Sequence, residues 1–250
     1  MSNEDVKPPG LEDILGSFGP VESAPLTRIQ AYTVKAMTHS WTTIPHVTHQ
    51  DRMDLTDLEA ARKRANAARP AEQRLTPLPY LLKAVARLLL AAPKFNAALD
   101  EAGKRLIYRK YVNLGVAIDT PGGLVVGVIR DCDTRSLDEL ATEAATLGEK
   151  ARSPRGLSLA QMSGGGFTVS SLGALGGDGF TPIINAPEVA ILGVGRLQDV
   201  ATRGADDGVV WRRLLPVCLS YDHRALNGAD AGRFMQRLQD ELTVLASEVV

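Results

Sequence analysis

The most apolar stretch of the chain runs from Pro77 to Ala92, where Lys83 and Arg87 are the only charged side chains. Apolar residues recur on all sides of a 3.6-residue repeat, which predicts a helix buried on most faces. It is too short for the ~18 residues of a membrane span. One-sided patterns mark two further helices. Ile29, Val34, Met37 and Trp41 lean to one side of Thr27–Trp41, and Met235, Leu238, Leu242 and Leu245 share a face of Gly228–Ala246. Thr56-Asp57-Leu58-Glu59 and Ser136-Leu137-Asp138-Glu139 match the capping box. The first predicts a helix ending before Pro70, the second a helix to about Arg152. Strand character follows Pro45 and fills 105–119, 123–129, 167–172, 189–195, 209–215 and 216–224. Pro121, Gly122 and Gly123 mark one turn, and Asp206, Asp207 and Gly208 a hairpin. This order predicts a mixed α/β domain without the regular alternation of a doubly wound sheet.

Ahead of that domain, residues 1–25 hold Pro8, Pro9, Pro20 and Pro25 with interspersed glycines and short apolar clusters. They read as an extended arm or linker lying on a surface, and residues 26–250 as the folded domain. Charge adds mainly exclusions. Twenty-eight Lys+Arg against 29 Asp+Glu leave a net charge of −1, so no global field favours nucleic acid or an acidic membrane. Aromatics at 5% argue against base stacking. Cys132 and Cys218 are isolated and fit a reducing cytoplasm, and no cysteine–histidine cluster suggests a metal. Nucleotide loops, zinc-protease and serine-hydrolase motifs are missing from the sequence.

Of four histidines, His39, His46, His49 and His223, no two have the helical spacing of a metal site. His46 and His49, three apart on a strand, face opposite sides. His223 ends a strand and precedes Asn227-Gly228 and a helix, which suits an imidazole projecting into a cleft; a structural histidine is the alternative. Ser170 and Ser171 end another strand before a glycine-rich stretch. One hydroxyl could serve an oxyanion, or both could simply bond the backbone.

Taken together, these segments resemble the catalytic core of the dihydrolipoamide acyltransferases of 2-oxo acid dehydrogenase complexes, nearest the pyruvate-dehydrogenase type. Carrying the resemblance are IPHVT (44–48) with LTDLEAARK, KYVNLGVAIDTPGGL (110–124), FTVSSLGALGG (167–177), FTPIINAPEVAILGVG (180–195) and LSYDHRALNGADAGRF (219–234). It implies a chloramphenicol-acetyltransferase-like fold, a mixed sheet with flanking helices, assembled as a homotrimer, either alone or joined into a larger cage. It also implies acyl transfer between dihydrolipoyl and coenzyme A thiols, most simply of acetyl groups. The family's His-x-x-x-Asp-Gly falls on His223 to Gly228, which makes His223 the general base. Ser170 becomes the oxyanion donor, on the neighbouring subunit, and Asn227 stands where the usual residue is Asp. Phe180 and Leu192 match positions near the thiol channel, and Arg28 a residue supporting Asn227. Gly127 replaces a usual proline, and the terminal ASEVV is less apolar than the usual cage-forming tail. These residues hold no lipoyl or subunit-binding domain, so either they are the core of a longer protein or the core stands alone; in the second case the lipoyl group is expected in trans, from a partner protein of the complex. Two alternatives stay open: a coenzyme A-dependent transferase with a non-lipoyl acceptor, and a non-catalytic oligomeric scaffold.

Overall fold

A computed structural model of the chain describes residues 10–248, so Pro8, Pro9 and the last two residues of the tail lie outside the described residues. The arm contains a short helix α1 (Leu11–Gly16) and is otherwise without regular structure up to Thr27, exposed throughout. Thr27 then caps α2 (Arg28–Thr43): its hydroxyl accepts the Gln30 N–H, and the Gln30 side chain accepts the Thr27 N–H. The rest of the chain follows as β1 (His46–Asp54), α3 (Thr56–Ala67), α4 (Pro77–Ala91), β2 (Ala97–Leu99), β3 (Leu106–Tyr108), β4 (Leu114–Thr120) and β5 (Gly123–Ile129). After these come α5 (Leu137–Arg152), α6 (Leu159–Met162), β6 (Phe167–Ser171), β7 (Ala190–Val194), β8 (Gln198–Arg203), β9 (Val209–Asp222) and α7 (Gly228–Glu248).

Seven strands form one mixed sheet in the order β1-β9-β7-β6-β4-β5, with β8 also paired to β9; β2 and β3 make a separate hairpin. β6 is parallel to both β4 and β7, and the other pairs are antiparallel. One face of the sheet carries Phe167, Val169, Leu192, Val194, Val217, Leu219 and Tyr221 into the main core beneath α3, α4, α5 and α7. There Phe234 of α7 sits 4.3 Å from Phe95 and 5.8 Å from Phe167, centroid to centroid. α4 contributes nine buried residues, as its all-round apolar pattern requires. Each fully buried leucine there is worth roughly 2 kcal/mol of burial. The opposite face carries Thr168, Ser170, Ile191, Gly193, Cys218 and Ser220. A small cluster of Ile44, Ile184 and Ile191 covers part of it.

Several sequence expectations change. The 209–215 and 216–224 segments are one strand, β9, running unbroken through Pro216. Proline is tolerated because its missing donor falls where β9 passes from β8, paired up to Leu214, to β7, paired from Val217. The 105–119 segment divides, its first part joining the hairpin and its second the main sheet. The α5 capping box forms, with the Ser136 hydroxyl accepting the Glu139 N–H and the Glu139 carboxylate accepting the Ser136 N–H. The one expected at Thr56 does not. Glu59 is buried and takes a two-pronged bond from Arg62 at 2.7 and 2.8 Å, while the Asp54 carboxylate accepts from the Thr56 N–H and hydroxyl. A buried carboxylate needs a cation more than the helix start needs a second cap.

Candidate active site

Ser170 is the next-to-last residue of β6, opposite Gly193 of β7, which is in turn opposite Cys218 of β9. Partners in a ladder point to the same side, so Ser170 faces away from the main core. The Ser170 hydroxyl makes no hydrogen bond among the described residues, and the side chain is half-buried. Phe180 lies over Gly193 on that same face. A Cβ at Gly193 would stand 2.8 Å from Phe180 Cζ, so only glycine lets the ring settle beside the serine row. Gly193→Ala should therefore displace Phe180 and cost about 1–3 kcal/mol in urea unfolding. A wild-type unfolding midpoint would mean that the ring moves freely.

Leu192 does not join Phe180 here. It points the other way and is fully buried in the main core, as the strand alternation next to Gly193 demands. Its expected place near a thiol channel is not what this chain shows. Nor does Arg28 reach Asn227. Arg28 opens α2, whose Ile29 packs at Gly122 and Gly123, and it makes no hydrogen bond or ion pair among the described residues.

Beyond Asp222, the last residue of β9, His223 is exposed. Its N–H donates to the Pro45 carbonyl at 3.1 Å, and its ring lies 5.8 Å from that of Tyr221. Asn227 is the N-cap of α7: its amide oxygen accepts the Asp230 N–H at 2.9 Å, and the Asp230 carboxylate accepts the Asn227 N–H at 3.3 Å. Asn and Asp cap equally well, so the usual aspartate can be replaced here without loss of the cap.

His223 and Ser170 do not meet within one chain. Two strand spacings separate β6 from β9, and His223 lies five residues beyond Cys218, the residue level with Ser170. That puts the two on the order of 20 Å apart. Neither of two cavities on the chain includes either residue. The larger, a cleft of about 900 Å³ between the α4 and α5 side and the ends of β4 and β6, reaches only Ser171. The smaller lies beside Phe95 and Phe234.

The other histidine of the motif set is structural. His46 Nδ1 lies 2.8 Å from the Ile44 carbonyl and Nε2 accepts the Ile184 N–H at 3.0 Å, so neither ring nitrogen is left for a ligand. No group of three or more His, Cys, Asp or Glu placed to hold a metal occurs among the described residues. No helix among them is long and apolar enough to cross a membrane.

Two groups escaped the sequence reading. Glu188 begins the turn into β7, fully enclosed beside Thr168 and Gly165, with Asn185 Nδ2 at 3.3 Å from Oε1. Burial pushes its carboxyl from 4.5 up to about 7. Its folded value is thus raised, so the stability it confers is complete below about pH 4.5. That stability is lost as pH climbs to about 7, a loss on the order of 3 kcal/mol. Glu188→Gln should remove this slope, matching the parent at pH 4.5 and exceeding it at pH 8 in denaturant titrations; equal slopes would exclude the effect. The second group is the Asp222–Arg224 pair on either side of His223. Its signal, opposite charges flanking a histidine, was present in the quoted motif.

Residues 18–247 match the family described as 2-oxoacid dehydrogenases acyltransferase (catalytic domain). The chain is similar to the dihydrolipoyllysine-residue acetyltransferase component of the pyruvate dehydrogenase complex of Pseudomonas aeruginosa. The two are 50% identical over 238 residues, which are 94% of this chain and 43% of that protein. The chain thus spans less than half the length of that curated relative. Among solved structures it resembles the dihydrolipoamide acetyltransferase of Azotobacter vinelandii, studied for the role of a serine, a histidine and an asparagine in its catalytic mechanism. The TM-score is 0.89 at 45% identity, covering 98% of this chain and 100% of that one. In that enzyme, as here, the histidine precedes the asparagine by four positions. The cubic core of the pyruvate dehydrogenase multienzyme complex matches at TM-score 0.89 and 46% identity, over 98% and 100% of the two chains. Chloramphenicol acetyltransferase, at 17% identity, shares the fold at TM-score 0.55 over 83% of this chain and 94% of its own.

Proposed function

The chain belongs to the 2-oxoacid dehydrogenase acyltransferase family (catalytic domain), and from that premise we propose that it moves an acetyl group between a dihydrolipoyl thiol and the thiol of coenzyme A. The observation that carries this reading is the serine, histidine and asparagine set, Ser170, His223 and Asn227, held at strand and helix ends in the same fold as the Azotobacter vinelandii acetyltransferase. A thiol with a pKa of roughly 8.5 is mostly protonated at neutral pH and attacks poorly. His223 takes the proton from the incoming thiol as its sulfur adds to the thioester carbonyl. The Ser170 hydroxyl donates to the oxyanion of the tetrahedral intermediate. Collapse breaks the bond to the departing sulfur, which recovers the proton from the imidazolium. The exchange is nearly symmetric, so one base serves both directions.

Because the two residues lie apart in one chain, the reacting carbon sits at a seam between copies, with His223 from one and Ser170 from the next. A homotrimer supplies three such seams, and a cubic core of trimers is the larger form seen in the related complex. Asn227 holds the start of α7, and with it the turn that carries His223. Both thiols are substrates: coenzyme A enters free, and the lipoyl group arrives on a lipoyl-bearing domain of a 2-oxo acid dehydrogenase complex. That setting fits the cytoplasm.

The test is formation of S-acetyldihydrolipoamide from acetyl-CoA and free dihydrolipoamide by the purified chain. Turnover with dihydrolipoamide, exceeding that with hydroxyl or amine acceptors, supports the reading. Transfer only to non-thiol acceptors, or no turnover with several acyl-CoA donors, overturns it.

A further inference from the structure

The Asp222 carboxylate is 2% exposed, and Arg224 grips it from two residues along the chain. Arg224 Nε lies 2.9 and 3.2 Å from its two oxygens and Nη2 2.7 Å from the second, while the Arg224 N–H donates to the first at 3.0 Å. The Asp222 carbonyl also accepts from the N–H groups of Ala225 and Leu226, and its N–H donates to Val189. Every group of Asp222 is thereby engaged, and among the described residues the one side chain of the 222–224 tripeptide without a hydrogen-bond or ion-pair partner is the imidazole between them. We propose that the Asp222–Arg224 pair is a positioning clamp for His223, fixing the direction in which the ring leaves β9 and balancing the charge at its base.

The clamp rests on His223 being the base. A two-pronged carboxylate–guanidinium bond resists rotation, unlike a single contact, so it holds the turn against the pull of either thiol. It also pairs the buried carboxylate with a cation, so the imidazole feels little net field from its neighbours in sequence. Other ionisable groups around the turn are Tyr221 on β9, Glu188 before β7, and His46 on β1, the register partner of Asp222. At the start of α7, Asp230 pairs with Lys94 and Arg233. Among the described residues, none of these side chains hydrogen-bonds or ion-pairs with the side chain of Asp222 or Arg224.

The test compares the acid limb of the pH profile of kcat/KM for acetyl transfer in four variants. Arg224→Gln leaves an unbalanced carboxylate that favours imidazolium, so the limb moves up by about half a pH unit. Asp222→Asn leaves an unbalanced guanidinium and moves it down by a similar amount. The double variant returns it towards the parent. Arg224→Lys keeps the charge, and therefore the limb, but loses the fork; kcat falls several-fold while KM holds. A residue that merely stabilises the fold cannot give shifts of opposite sign. Shifts in one direction, or none, overturn the clamp. Should Asp222→Asn fail to fold, the contrast between the exposed-side variants Arg224→Gln and Arg224→Lys decides alone. His223→Gln is run alongside: full activity there means that the base itself is misassigned, whereas its loss with unshifted Arg224 variants rejects only the clamp.

Discussion

His223→Ala abolishes nearly all acetyl transfer to dihydrolipoamide while leaving the assembly folded. The expected loss is about 10²–10⁴-fold in kcat, the usual worth of a general base. The side chain is exposed and makes no hydrogen bond among the described residues, and the N–H that joins the turn to Pro45 belongs to the backbone, so alanine retains it. Stability should change by no more than about 0.5 kcal/mol. Circular dichroism melting, light scattering and a steady-state assay at saturating acetyl-CoA check the three parts. A His223→Ala protein turning over at the parent rate would remove the imidazole from the mechanism.

Ser170→Ala is the second large effect. An oxyanion donor is worth about 3 kcal/mol, or roughly a hundredfold in kcat. Loss of a hydroxyl that bonds nothing among the described residues costs the fold little. Its greater value is in combination. If each reacting carbon lies between His223 of one copy and Ser170 of the next, the two single variants fail for complementary reasons. Co-expressed as equal parts of mixed trimers, they rebuild a complete pair at about a quarter of the seams. Activity should then recover to about a quarter of the parent, far above either variant alone. Recovery no better than the mean of the two single variants would mean that the site is built within one copy.

How far the amino-acid order alone reaches differs from segment to segment. It suffices where a local rule has no competitor. The all-round apolar pattern of α4, the Ser136–Glu139 cap and the turn at Asp206–Gly208 each describe what the chain does. The candidate site residues are legible as candidates in the same way, because the histidine and serine segments are short contiguous stretches. The order fails where a side chain has two possible partners and distance in the fold decides. Glu59 could have capped α3, but burial beside Arg62 and Arg213 claims it instead. Leu192 could have faced a channel, but strand alternation next to Gly193 turns it into the core.

The chain's membership of the acyltransferase family, its mixed α/β class and its candidate base and oxyanion donor are therefore written in contiguous residues, where spacing of a few positions carries the information. Sheet register decided the rest. Only the pairing of β6 through β7 to β9 shows that Ser170 and His223 stand on the order of 20 Å apart in one copy. Likewise, only packing shows that Asp222 is buried and gripped by Arg224, and that the Glu188 carboxyl is closed off from water. Sequence patterns record which neighbours a residue has along the chain; burial and ion pairing depend on neighbours brought in from elsewhere, and folding alone supplies those.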